Sequence, residues 1–249
     1  MATETPEFDP TGGRGFVLVQ SVIVVLVAFL GAVVVAQAGA SVLGAAGVPR
    51  ESMAGRVALT VLQFLGFGVG IAGVLHVGDD WAVVTDHVRW PSLREAGYAV
   101  AGLVAVLGAA AGVGQLLSAL GIDVAQNQVI AVGRENPTFF LYMIPVSLLL
   151  VGPMEELLFR GTVQGLLRRA WGPAAAVVVA STMFGLVHWV ALTGGGSRLS
   201  YIAVAAALGL VLGAVYELTG NVVVPAAVHG AYNAVLFGVQ YAVATGMAG

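Results

Sequence analysis

A chain of 249 residues that is 59% hydrophobic and only 9% charged has about a third of the charge of an ordinary soluble domain. That is the composition of a multi-pass membrane protein. A net charge of −3 with no basic run excludes a nucleic-acid-binding surface. The lack of cysteine excludes disulfide frameworks, thiolate metal sites and a cysteine nucleophile.

The chain opens on a polar, acidic tail, residues 1–14. The apolar run that follows is longer than a signal-peptide core and reads as a retained first span, although the Ala36-Gln37-Ala38 triplet resembles a cleavage site. Apolar runs of roughly bilayer-crossing length, about 20 residues, lie at 15–38, 56–78, 96–121, 137–151, 173–192, 199–218 and 222–246. Between the second and third, Asp79, Asp80, Asp86, His87 and Arg89 accompany Trp81 and Trp90, the makeup of an interfacial loop with aromatic anchors. With a cytoplasmic N-terminus, Arg14, Arg89, Arg94, Arg168 and Arg169 fall on one side and Arg50, Arg56, Arg134 and Arg198 on the other. That near balance leaves orientation open.

Residues 153–169 continue the fourth run, and a straight helix over 137–169 would reach about 48 Å. A single crossing does not need that length, so a broken helix or an extra short span is expected, with Pro153 in the first turn of the second piece. The expected fold is therefore all-α, a polytopic membrane bundle of seven to eight transmembrane helices. Glycine pairs at four-residue spacing, Gly161 with Gly165 and Gly209 with Gly213, suit close helix packing in lipid.

Charge appears where it is least expected, in the stretch GPMEELLFRG, residues 152–161. On a helix Glu156 and Arg160 are four apart, in the acid-first order that favours an ion pair. Glu155 lies about 100° round the axis and needs another partner. An ionisable group in the membrane costs on the order of 3 kcal/mol and marks a functional site by default. Two further apolar runs offer partners. Phe184 and His188 share one helical face, and His229 and Asn233 share another. A neutral imidazole can hold water or a metal, and a carboxylate in a dry pocket becomes a better base, so such a cluster can activate water. No two histidines stand around a glutamate as they do in the HExxH zinc helix.

The three stretches Glu155-Glu156-x-x-x-Arg160, Phe184-x-x-x-His188 and His229-x-x-x-Asn233 resemble, in order and placement, the motifs of the CAAX protease and bacteriocin-processing (CPBP) family of intramembrane endopeptidases. The resemblance covers residues 137–246 as a protease core, behind N-terminal membrane helices at 15–136. It implies hydrolysis of peptide bonds in membrane-embedded or lipidated, CAAX-type substrates within the bilayer, in the plasma membrane of a prokaryote. By the same resemblance Glu155 is the general base, His188 and His229 bind the water or a metal, and Asn233 stabilises the oxyanion. Glu156, Arg160 and Phe184 support the site. Two versions of that site follow. In one, a divalent metal, zinc first, is held by His188 and His229 with Glu155 or Asn233; the other uses glutamate and histidine alone. Two rival functions share the same residues: an inactive binding, immunity or scaffold relative, and a proton-coupled transporter, against which the absence of matched repeats argues.

Overall fold

The computed structural model describes residues 13–247, so nearly all of the polar tail read at 1–14 lies outside the described residues. Long aliphatic runs bring the helices about, and short polar residues delimit them. Helix α1 is Gly13–Ala45 and α2 is Met53–Gly78; the side chain of Ser52 accepts the Gly55 amide at the start of α2, and Asp79, at φ 49°, ends it. Helix α3 (Ala82–Thr85) is a single turn. Helix α4 (Leu93–Ala119) begins on a capping box in which Ser92 and Glu95 satisfy each other's backbone amides. A short α5 (Gln128–Glu135) precedes the long α6 (Thr138–Trp171). Helix α7 (Pro173–Val187) runs on into a 3-10 turn, His188–Ala191, and α8 (Arg198–Thr219) and α9 (Val223–Ala244) complete the bundle.

Six of these helices are long and apolar enough to cross a membrane, among the described residues. Helix α9 is as long as α8 but is not among the six. It is the helix that carries His229, Asn233 and Gln240. The all-α membrane architecture is as expected, the count of seven to eight spans is not confirmed by these six, and the fourth run is corrected. Residues 138–171 form neither a broken helix nor two spans but one helix of 34 residues, about 51 Å long. Pro145 lies within the first α-helical stretch, Pro153 directly follows a π turn at Ser147–Val151 that widens the helix ahead of its ring, and a second π stretch follows at Leu157–Gln164. A wider turn makes room for the proline ring that would otherwise strike the preceding carbonyl.

Helices α1, α2, α6, α7 and α8 share one core that includes Val24, Phe67, Leu158, Phe159, Ala180 and Phe184. Helices α1 and α2 meet through glycine: a methyl on Gly31 would strike the Gly66 carbonyl, and one on Gly70 would lie 2.6 Å from the Val27 carbonyl. At one end of the bundle Arg169 pairs with Asp80 at 3.0 Å, Arg89 with Glu95 at 2.6 Å, and the Trp171 indole donates to the Arg14 carbonyl. The interfacial loop read at 79–90 is therefore packed: Val83 and Val84 are buried, and the His87 ring donates to the Gly220 carbonyl at 3.1 Å. At the other end, β1 (Gln126–Asn127) pairs antiparallel with β2 (Leu192–Thr193).

Candidate active site

The position of the site follows from how closely α6 and α9 approach. A Cβ on Gly152 would stand 2.8 Å from the Gly230 amide, and one on Gly230 would stand 3.0 Å from the backbone of Leu148 and Ser147. Only glycine at both positions lets the two backbones touch. That contact sets the carboxylates of α6 beside His229.

The two adjacent glutamates differ sharply. Glu156 is wholly buried, and its two oxygens have separate tasks. One stands 3.2 Å from Arg160 Nε, and the other accepts the Nδ1–H of His229 at 2.9 Å. The contact with Arg160 is an ion pair without an aligned hydrogen bond, since neither of its two atoms finds a hydrogen-bond partner. Arg160, also fully buried, donates instead to the Gly209 carbonyl at 3.1 Å and lies 5.0 Å above the Phe184 ring. The small Gly209 and Gly213 expose their carbonyls here to Arg160 and Gln164, respectively. Of the glycines read as packing positions, a methyl on Gly165 would come within 2.8 Å of Val83, one on Gly209 or Gly213 would be tight at 3.0–3.1 Å, and Gly161 has ordinary van der Waals clearance.

Glu155 is 18% exposed, and its Oε2, buried and without a hydrogen-bond partner, lies 3.8 Å from His229 Nε2. The tautomers follow from the acceptors. His229 Nδ1 faces a carboxylate and His188 Nδ1 faces the Phe184 carbonyl at 2.7 Å, so each Nδ1 carries the proton and each Nε2 is left with its lone pair. Phe184 stacks edge-on against His188 (4.7 Å), His229 (5.7 Å) and Phe159 (5.2 Å), fixing both imidazoles.

Glu155, His188, His229 and Asn233 all line one cavity of about 440 Å³, which Glu156 and Arg160 do not reach. A second cavity, of about 940 Å³, meets His188, His229 and Asn233 from the side of α4 and α8. The four candidate residues thus share one cavity wall rather than forming a strung-out chain. Among the described residues, however, no three His, Asp or Glu side chains are placed to hold a metal ion. Glu156 is already committed to Arg160 and His229, so it cannot supply a third donor. As arranged, the histidines and carboxylates by themselves do not make a three-ligand metal site among the described residues.

Residues 137–235 match the family model for type II CAAX prenyl endopeptidase Rce1-like proteins. Over that segment the chain is similar to CAAX prenyl endopeptidases. Neither the comparison with curated proteins nor the one with solved structures gave a match. The matched segment contains every motif residue, but it does not account for the whole cavity. Arg50 from the turn between α1 and α2 and Arg56, Phe64 and Phe67 from α2 line it too, as does Tyr201, whose hydroxyl accepts from Asn127 Nδ2 at 3.3 Å. Sequence reading missed all of these. Arg56, Gln63 and Phe67 recur on one face of α2 and could have been found as a stripe. Tyr201 and Asn127 carry no local signal at all.

Proposed function

We propose that this chain is an intramembrane endopeptidase that cuts membrane-associated, lipidated or apolar peptides by a water molecule that Glu155 activates. Glu155 Oε2 takes a proton from water, and the hydroxide oxygen bonds to the scissile carbonyl carbon. The water's second O–H donates to the free Nε2 of one of the two histidines, His188 or His229, and the Asn233 amide donates to the carbonyl oxygen as it gains charge. The C–N bond then breaks, and the proton on Glu155 passes to the leaving amine. Glu156 fixes the His229 ring by accepting a hydrogen bond from its Nδ1–H, and Arg160 supplies the counter-charge of Glu156. No step is routed through a metal.

One observation carries this reading: a buried, unpartnered carboxylate oxygen 3.8 Å from an imidazole Nε2, both on the wall of a cavity large enough for several residues of peptide. Convergence on one cavity favours hydrolysis over a proton relay. The test is cleavage of a prenylated peptide library by purified wild type and by Glu155→Gln, which keeps size but cannot take the proton. The variant is expected to lose about 10²- to 10⁴-fold in rate while unfolding at the wild-type temperature. Undiminished cleavage by the variant would remove Glu155 from the mechanism.

A further inference from the structure

The cavity that holds Glu155 is apolar along most of its length and cationic at one end. Its walls include Phe64, Phe67, Val129, Met143 and Val151, and it also reaches Arg50 and Arg56. Neither arginine has an acidic partner within ion-pair distance among the described residues. Arg50 makes one long hydrogen bond, 3.4 Å, to the Gln37 side chain, and Arg56 spends only Nε, on the Glu51 carbonyl. Arg56 therefore keeps both terminal nitrogens for a ligand. A guanidinium with its fork free is suited to a carboxylate, which it can grip through two parallel hydrogen bonds. The second cavity differs, because Arg134 and Asp123 line it together and leave it no end of one sign.

The register of α2 sets a length. Arg56, Thr60, Gln63 and Phe67 follow one another along the cavity wall. Just beyond them, a Cβ on Gly68 would touch the sulfur of Met154, the neighbour of Glu155 in the chain. Twelve residues of helix separate Arg56 from that level, about 18 Å. An extended peptide covers this in about five residues, and in fewer once the arginine side chains reach towards it.

Resting on the hydrolase reading above, the geometry points to Arg50 and Arg56 as the site that holds the free α-carboxylate of the substrate. The apolar C-terminal residues of the peptide fill the cavity, and Glu155 meets a bond three to five residues from the end. These arginines, which lie outside the family-matched segment, thereby select for a free C-terminus and set where the chain is cut.

The test uses the full-length protein and a fluorescein-labelled peptide carrying a prenylated cysteine ahead of three apolar residues, made as the free acid and as the C-terminal amide. Binding is read by anisotropy on Glu155→Gln, and turnover on wild type by mass spectrometry. The free acid is expected to bind about ten- to a hundredfold more tightly than the amide, the range of charge-assisted hydrogen bonds. Arg50→Gln with Arg56→Gln should bring that ratio to about one, and the paired lysine variant, which keeps the charge, should retain part of it. Products should end three to five residues from the C-terminus. Equal binding of acid and amide would overturn the proposal, as would a preference that survives in the glutamine variant. So would displacement of the acid by phosphatidylglycerol vesicles but not by unlabelled free-acid peptide, since the arginines would then be reading a lipid headgroup. If the acid is preferred but never cut, the hydrolase reading fails and the carboxylate site stands; efficient cutting of both forms gives the reverse.

Discussion

Glu156→Gln isolates the structural half of the glutamate pair. Both Glu156 and Arg160 have side chains with no exposure to solvent, 3.2 Å apart. The amide leaves Arg160 with a full charge and no counter-charge; its remaining contacts are the Gly209 carbonyl and the Phe184 ring. Stranding one member of a buried pair costs about 3–5 kcal/mol. Removing both members together, Glu156→Gln with Arg160→Met, should recover most of that loss, because no uncompensated charge remains. Activity should not return with stability. The His229 ring would keep an acceptor only through the amide oxygen, without the carboxylate that holds its tautomer. The assay is thermal or denaturant unfolding of the three proteins in one detergent, alongside peptide cleavage. A single variant as stable as wild type, or a double variant less stable than the single, would refute the claim that Glu156 supplies the counter-charge that Arg160 needs in the buried interior.

Three further outcomes can be checked with the same preparations. Gly230→Ala places a methyl 3.0 Å from the backbone of α6, so it should cost about 1–3 kcal/mol and, by displacing His229, lower the cleavage rate by up to about 10²-fold. Gly161→Ala, where the nearest atom is an ordinary 3.5 Å away, should be close to neutral in both assays; equal damage at the two glycines would contradict the packing argument. Because the histidines and carboxylates do not form a three-donor cage, a strong chelator should leave turnover unchanged. Zinc bound at one per chain in wild type and lost in His188→Ala would overturn that.

The sequence alone determined the solvent and the location of the helices. Apolar runs bounded by Ser52, Ser92 and Ser197 locate α2, α4 and α8 because helix-forming physics is local: hydrophobic length and caps act within a few residues. The motif spacing likewise places Glu156 four residues before Arg160, and the ion pair forms as that spacing requires. Tertiary structure decided what depends on contacts distant in sequence. The fourth run reads as too long for one simple crossing, and the π turns that run through it, one of them just ahead of Pro153, have no signature in local propensity. The second bond of Glu156, to His229 73 residues away, follows from two glycines on different helices meeting. The same reason hid Arg50, Arg56 and Tyr201. Nothing within the first two helices, in the turn between them or at the start of α8 says which cavity they will face, since that is settled only when α2, α6, α8 and α9 close around Glu155.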